Sequence, residues 1–193
     1  MKTAGLILAA GESRRMGRPK ALLEYRGETF LDRLIRLFSA VCSPVIVVLG
    51  AEPEAIPAGA QRGEAARFVL NPDYRRGQFS SMQRGLREVP PEAEGVLFTL
   101  VDHPVVEAAT LASLLAGSGP LRIPRYLGRR GHPIWFSTAL TAEFLALPPD
   151  ATAREVVHRY NAEVEYIDVD DRGVLEDIDE PGDYRRLAGG GHA

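Results

Sequence analysis

Apolar residues in the first half of the chain form short continuous runs, and longer amphipathic segments separate them. The runs are mostly aliphatic and β-branched, which is typical of strands buried on both faces, and they lie at residues 4–9, 44–50, 66–70 and 95–101. Residues 27–41 place apolar side chains at helical spacing and leave Asp32, Arg33 and Arg36 for the solvated face. Weaker helical patterns lie at residues 78–88 and 107–116. This alternation predicts a parallel sheet with crossover helices.

The second half of the chain has a less regular pattern. Residues 121–137 contain two extended pieces, which we expect to be joined by a Gly-Arg-Arg-Gly turn. Helices are predicted at 137–147, 151–160 and 180–188, and a strand with one solvated face at 162–169. Together the patterns predict the α/β class, with a Rossmann-like, mainly parallel sheet flanked by helices. We expect one domain at residues 1–188 and a disordered tail at 189–193.

Composition narrows the range of ligands and locations. The chain has 193 residues and a net charge of −3, so no broad basic face is available for a nucleic acid or an anionic membrane. The apolar run near the start is only about seven residues long, too short for an export signal or a membrane span. Cys42 is the single cysteine, which excludes an internal disulfide and favours a reducing compartment. These features predict a cytoplasmic protein that binds a small ligand.

A cluster of cations follows the first predicted strand. Gly11 stands at the bend, and the cations that come next are Arg14, Arg15, Arg18 and Lys20. Glycine lets backbone N–H groups approach phosphate oxygens, and arginine and lysine neutralise the remaining charge. The spacing matches neither the dinucleotide fingerprint nor the P-loop. A phosphate-binding loop and a solvated basic loop are both compatible with this charge pattern.

Acidic residues supply a possible metal site on the same edge of the sheet. Asp102 directly follows the strand at 95–101, where it is either a metal ligand or an ordinary turn former or helix cap. Residues 163–183 contain ten acidic side chains and one basic one, and most of them should be solvated. Asp177 and Asp179 are two residues apart, so in an extended segment they share a face. Mg²⁺ is commonly held by one or two carboxylates together with substrate phosphates.

Residues 8–23, LAAGESRRMGRPKALL, resemble the first motif of nucleotidyltransferases that have a molybdenum cofactor guanylyl/cytidylyltransferase-like NTP transferase domain. The family pattern is L-A-A/G-G-x-S-x-R-M-G, two residues, then K, and each of its fixed positions is present here. Four later segments resemble further motifs of the family in the same order, at residues 71–86, 97–106, 128–136 and 175–187. The resemblance therefore covers nearly the whole chain and implies a fold of the nucleotide-diphospho-sugar transferase type.

The resemblance implies a role for individual positions. The nucleotide-binding positions that it implies are Leu8, Ala9, Ala10, Gly11, Arg15, Lys20, Asn71 and Ser81. Catalytic roles are implied for Arg15 and Lys20 on the phosphates and for Asp102 as the main Mg²⁺ ligand. Asp179 corresponds to the late aspartate that completes the metal site, although Asp177 is close enough in sequence to be the second ligand instead.

The reaction implied by the resemblance is the Mg²⁺-dependent transfer of CMP from CTP to the terminal phosphate of molybdopterin or the molybdenum cofactor, with release of pyrophosphate. Ala10 favours the cytidylyltransferase branch, because guanylyltransferase relatives usually carry glycine there. Asp150, Ala153 and Arg154 keep part of a later segment of that branch but lack its glycine. A sugar-phosphate or polyol-phosphate acceptor, a glycosyltransferase and a non-catalytic nucleotide-binding module are therefore kept as alternatives. The resemblance also implies transient contact with an enzyme that receives the finished cofactor.

Two histidines and two arginines close to these motifs are harder to interpret. His103 is expected to shape the turn after Asp102, and His132 to bind the acceptor or to cap a strand. Arg129 and Arg130 either contact an acceptor phosphate or belong to a solvated hairpin turn.

Overall fold

The structure is a computed structural model, and it describes residues 2–189. Ten strands form one eight-stranded sheet and one small two-stranded sheet. Their bounds are β1 Thr3–Ala9, β2 Glu24–Tyr25, β3 Glu28–Thr29, β4 Val45–Leu49, β5 Arg67–Leu70, β6 Gly95–Leu100, β7 Leu121–Tyr126, β8 Arg129–Arg130, β9 Ile134–Ser137 and β10 Val164–Asp168. The four apolar runs of the first half are the strands β1, β4, β5 and β6, as the sequence predicts.

The main sheet has the strand order β10-β7-β9-β6-β1-β4-β5, with β8 paired to β7. Strands β6, β1, β4 and β5 are parallel, β10 is parallel to β7, and β9 and β8 are antiparallel to their neighbours. The chain runs from β1 outward to β5 and then returns to the other side of β1 as β6. That reversal creates a crevice at the carboxyl ends of β1 and β6, where open α/β sheets bind ligands.

Seven helices cover the two faces of the sheet in the described residues. Their bounds are α1 Phe30–Ser39, α2 Ala55–Gly59, α3 Gln78–Leu86, α4 Ala108–Ala116, α5 Thr141–Ala146, α6 Ala153–Arg159 and α7 Pro181–Gly189. Ile7 on β1 packs into the apolar core under α1 and α4, whereas Leu6 and Leu8 pack into the core under α3, α5 and α6. Strands β1, β4 and β6 are therefore buried on both faces, which explains their continuous apolar sequences, whereas β5 at the edge of the sheet has exposed residues at both ends.

The turn between β7 and β8 lies at a different position from the one that the sequence predicts. The predicted Gly-Arg-Arg-Gly turn is wrong, because Arg129 and Arg130 form β8 and pair with Tyr126 and Arg125. The chain reverses one step earlier, at Leu127 and Gly128, which have φ angles of 47° and 79°. Two central residues with positive φ produce the twist that a two-residue hairpin requires.

Helix boundaries follow capping residues that the periodicity alone does not reveal. Helix α1 begins at Phe30 instead of residue 27 because the side chain of Thr29 accepts a hydrogen bond from the backbone N–H of Asp32. The segment that departs from the cytidylyltransferase pattern forms a capping box, in which Thr152 and Glu155 cap the start of α6. The short helix α2 was not predicted.

The predictions for the end of the chain have different outcomes. Strand β10 forms as expected, but its first four residues are all half-buried, so it lacks a clear solvated face. Gly189, which the sequence analysis assigns to the tail, is the last residue of α7. The rest of that tail, residues 190–193, lies outside the described residues. Over residues 2–189, no helix combines the length and the apolar character needed to cross a bilayer.

Candidate active site

A cleft of about 580 Å³ opens at the carboxyl ends of β1 and β6. The predicted site residues that line it are Leu8, Ala9, Ala10, Gly11, Arg15, Lys20, Ser81, Asp102 and Asp179. Asn71 is buried, and its side-chain amide donates hydrogen bonds to the hydroxyls of Ser80 and Ser81 at 3.0 and 2.9 Å. The structure therefore brings the predicted residues to one cleft, and Asn71 reaches it through Ser81.

One side of the cleft is the basic loop, residues 11–20. Its backbone folds back on itself, because the Ser13 hydroxyl accepts a hydrogen bond from the Lys20 N–H at 3.0 Å and the Ser13 carbonyl accepts one from the Met16 N–H at 2.9 Å. Ser13 and Gly17 both have positive φ angles, 48° and 68°. The loop is thus a defined turn, and Ser13 is the residue that closes it.

The cations of the basic loop differ in their partners. Arg14 pairs with Glu12, which also pairs with Arg75, so this part of the loop is already neutralised. The guanidinium of Arg14 is the main reason that the pKa of Glu12 is lowered. Arg15 is largely exposed and has only a 3.6 Å contact with Glu180, a surface pair that contributes little stability. Arg15 is therefore available to a ligand.

Lys20 reaches across the cleft to the opposite side. Its Nζ lies 3.3 Å from Oδ2 of Asp102 and 2.5 Å from Oδ1 of Asp179, and its side chain is only 12% exposed. Burial lowers the pKa of Lys20, but the carboxylates of Asp179 and Asp102 outweigh burial, and the net pKa is raised. Lys20 is therefore a charged cation held between two carboxylates.

The opposite side of the cleft is the acidic wall, which consists of Asp102, His103, Asp177 and Asp179. Ligand atoms of Asp102, His103 and Asp177 all lie within 4.8 Å of one another. Burial, followed by the charges of Asp102 and Asp179, raises the pKa of Asp177 to about 6. Asp102 Oδ1 is buried without a hydrogen-bond partner among the described residues. A concentration of carboxylates with an unsatisfied buried oxygen fits a divalent cation.

The acidic wall is anchored from behind by buried residues. Ile178, a residue that is 1% exposed, donates a 3.0 Å hydrogen bond from its backbone N–H to the Asp102 carbonyl. This bond holds the segment that contains Asp177 and Asp179 beside β6. Asp171 is also buried, and it accepts hydrogen bonds from the Thr110 hydroxyl and from the backbone N–H groups of Glu107 and Gly173. Asp171 is thus an exception to the expectation that most acidic side chains of residues 163–183 are solvated.

The two histidines near the cleft pack against each other, with ring centroids 4.7 Å apart. Burial, and then the neighbouring His103, lowers the pKa of His132 to about 3. Burial also lowers the pKa of His103, although Asp102 opposes this effect. Sequence reasoning expected His103 to shape a turn and did not place its ring next to Asp177. Both rings are neutral at pH 7, the state in which imidazole can bind a metal.

The two arginines of the hairpin and the single cysteine lie away from the cleft. Arg129 and Arg130 are exposed, and the Arg130 guanidinium stacks over the Tyr166 ring at 4.7 Å. Both arginines are solvated, as the second interpretation expected, but they belong to strand β8 of the hairpin and not to its turn. Cys42 is buried, and burial raises the pKa of its thiol to about 12, which makes the thiol unreactive.

The sequence is similar to a known protein family and to individual characterised proteins. Residues 5–164 match the family described as "MobA-like NTP transferase domain". Over 188 residues, 91% of each chain, the sequence is 36% identical to nicotine blue oxidoreductase of Paenarthrobacter nicotinovorans. It is 27% identical to molybdenum cofactor cytidylyltransferase of Escherichia coli K12, over 93% of this chain and 92% of that protein.

The fold is also similar to that of Rv0371c from Mycobacterium tuberculosis H37Rv. One crystal structure of that protein has a TM-score of 0.87 and 33% identity, and 98% of each chain is covered. A second structure is a complex with manganese and has a TM-score of 0.81 and 31% identity, over 98% of this chain and 99% of that one. The similarity therefore extends over nearly the whole of both chains.

Proposed function

Since the chain belongs to the MobA-like NTP transferase family and is therefore a nucleotidyltransferase, we propose that it transfers CMP from CTP to the terminal phosphate of molybdopterin or the molybdenum cofactor and releases pyrophosphate. The observation that carries this proposal is the position of Lys20 between the carboxylates of Asp102 and Asp179. A cation of the phosphate-binding loop and the acidic wall thus face one small cleft, as a metal–triphosphate ligand requires.

The choice of base and acceptor rests on two further observations. The E. coli relative is named a molybdenum cofactor cytidylyltransferase and aligns with 93% of this chain. Ala10 lines the cleft beside Gly11, at the position where this branch differs from guanylyltransferases. The finished cofactor then passes to the enzyme that uses it, through a transient contact.

The chemistry requires positioning and charge neutralisation more than it requires a base. A phosphate monoester dianion is already a nucleophile, so an in-line attack on the α-phosphorus needs no side chain to remove a proton. Lys20 moves from the carboxylates to the triphosphate, where it and Arg15 stabilise the departing pyrophosphate. Asp102 and Asp179 are then free to hold Mg²⁺, which supplies Lewis-acid stabilisation of the phosphoryl oxygens. The manganese complex of Rv0371c supports a divalent cation in this fold.

The proposal is tested by measuring pyrophosphate release with Mg²⁺. CTP, GTP, ATP and UTP are each offered with molybdenum-loaded molybdopterin and with a panel of sugar and polyol phosphates. We expect release with CTP and the pterin. Release only with a sugar phosphate would preserve the transfer chemistry and reject the acceptor, whereas nucleotide binding without turnover on any acceptor would support a binding module. Release of free nucleoside diphosphate instead of pyrophosphate would indicate a glycosyltransferase.

A second candidate function is an oxidation–reduction reaction, because the relative with 36% identity is named nicotine blue oxidoreductase. Oxidation of NADH or NADPH by a panel of dyes, followed by absorbance, tests this candidate directly. Asp102→Asn separates the two functions, because it removes a carboxylate that nucleotidyl transfer needs for its cation. A dye-dependent activity that survives this substitution, without any pyrophosphate release by the native protein, would favour the second candidate.

A further inference from the structure

The two oxygens of Asp102 lie in different environments. Oδ2 lies 3.3 Å from the ammonium of Lys20, on the side of the cleft that we assign to the nucleotide. Oδ1 is buried and has no hydrogen-bond partner among residues 2–189. One carboxylate can therefore contact the nucleotide side through Oδ2 and still offer its second oxygen to another ligand.

His103 provides a second unsatisfied atom at the same place. Its side chain is 93% buried (7% exposed), and its Nδ1 has no hydrogen-bond partner within the described part of the chain. A buried polar atom without a partner is unfavourable, because it has lost its hydrogen bonds to water and gained no others. The two unpartnered atoms belong to the consecutive residues Asp102 and His103, so one ligand from outside the chain can satisfy both of them.

Asp177 completes a three-residue set around the same point. Asp102, His103 and Asp177 each contribute one ligand atom, and these atoms lie within 4.8 Å of one another. The ligand atoms of a tetrahedral ion with bond lengths of about 2.0–2.2 Å lie about 3.3–3.6 Å apart, so movements of about 1 Å bring the three atoms onto one ion. Three protein ligands leave positions for water or a substrate oxygen.

The nitrogen ligand determines which ion fits. Mg²⁺ prefers oxygen ligands, whereas an imidazole nitrogen suits Zn²⁺ and other first-row transition metals. We propose that Asp102, His103 and Asp177 form a mixed nitrogen–oxygen site that binds a divalent transition metal, Zn²⁺ being the best match, in the absence of nucleotide and in preference to Mg²⁺. This inference extends the proposed function, since the site shares Asp102 with the Mg²⁺ position, but it concerns binding and not turnover.

The site is tested by calorimetric titration of the nucleotide-free protein with Zn²⁺ in an excess of Mg²⁺. We expect one Zn²⁺ per chain, and at least about a tenfold loss of affinity in His103→Leu and in Asp177→Asn. His158→Leu is the matched control, because His158 is an exposed histidine on α6, and its loss leaves the affinity unchanged. Absence of stoichiometric binding, or equal affinity in native protein and His103→Leu, would overturn the proposal.

A second measurement does not depend on the folding of the His103 variant. Long-range ¹H–¹⁵N spectra of the native protein report the histidine ring nitrogens, and Zn²⁺ should shift Nδ1 of His103 while the resonances of His158 stay in place. A shift confined to His158 would reject the site. Pyrophosphate release with Mg²⁺ is assayed separately, so that transfer activity without Zn²⁺ binding would reject this inference and retain the proposed function.

Discussion

The two sides of the cleft are built in opposite ways. In the basic loop, the backbone is held by Ser13, and the side chain of Arg15 is largely exposed with one long ion pair. In the acidic wall, His103 is buried, and the tail is fixed by the hydrogen bond from Ile178 to Asp102. The backbone of the wall is therefore held in place from behind, whereas the loop offers adjustable cations to a ligand that changes charge during the reaction. Lys20 connects the two sides.

Substitution of the central wall residue should have the largest effect. Asp102→Asn keeps the size of the side chain and removes its charge, so the cation is lost while packing is retained. We expect turnover to fall at least about a hundredfold, since a bound metal contributes several kcal/mol of transition-state stabilisation. Pyrophosphate release measures this loss, and circular dichroism verifies the fold. A folded variant with near-native, metal-dependent activity would contradict the assignment of Asp102.

Removal of the connecting cation should change two quantities in opposite directions. In Lys20→Met, loss of the ammonium should lower the transfer rate by about tenfold to a hundredfold. The same change should strengthen divalent-cation binding without nucleotide, because Asp102 and Asp179 no longer have an internal cation. Calorimetry with Mg²⁺ measures the second effect. Weaker Mg²⁺ binding in this variant would show that Lys20 does not compete for the carboxylates.

Substitutions of two arginines of the basic loop, one lining the cleft and one outside it, test whether the loop contacts the nucleotide specifically. Arg15 lines the cleft, whereas Arg18 lies near Tyr184, with its guanidinium 5.8 Å from the ring centroid. We expect Arg15→Gln to raise the KM for the nucleotide by about tenfold, which corresponds to one charge-assisted contact. Arg18→Gln should leave KM close to the native value. If both substitutions raised KM equally in steady-state kinetics, the loop would act through its overall electrostatic potential and not through a specific contact of Arg15.

Two glycines distinguish space reserved for a ligand from space filled by the protein. A Cβ atom at Gly11 meets nothing within 4 Å, whereas one at Gly131 lies 2.1 Å from the Val174 carbonyl oxygen. Gly11→Ala should leave the melting temperature unchanged and weaken nucleotide binding several-fold, because the new methyl group occupies space that phosphate oxygens need. Gly131→Ala should instead destabilise the fold by more than about 1 kcal/mol. Native nucleotide affinity in Gly11→Ala would contradict the phosphate-binding role of the loop.

The smallest effect concerns the pH dependence of stability at Asp177. Its pKa is raised from 3.8 to about 6, so between these values the folded protein keeps a proton that the unfolded chain has released. Stability therefore falls as pH rises through this window, and the full cost is present above about pH 6. Asp177→Asn removes the cost, so in metal-free buffer its melting temperature should exceed the native one at neutral pH. The difference should vanish in acid, and a gap that is constant with pH would refute this explanation.

Most of the fold and of the cleft can be predicted from the sequence because the relevant signals are local. Continuous apolar runs identify the strands of the first half, and Asp102 follows one of them directly. The basic loop follows another, so both had to lie at the same edge of a parallel sheet. The helical patterns at 78–88 and 107–116 contain the observed helices α3 and α4.

The features that sequence reasoning missed depend on contacts between distant segments. Asp171 has the same charge as its solvated neighbours, and only its position beside Thr110 makes it a buried anchor. His103 and His132 lie in different motifs, and the antiparallel pairing of β6 and β9 brings the two segments together. The register of that pairing is set by tertiary packing, so the number of residues between the histidines does not reveal it.

The contact between Lys20 and Asp179 joins residues 159 positions apart. During synthesis the basic loop therefore leaves the ribosome long before the end of the acidic wall has been made. The segments of β1, β4, β5 and β6 precede the tail in the chain and can pair while the last residues are still being added. The cleft is complete only when the segment around Ile178 docks beside β6. The site is thus one of the last parts of the protein to form during synthesis. A nascent chain that still lacks Asp177 and Asp179 cannot form the complete acidic wall.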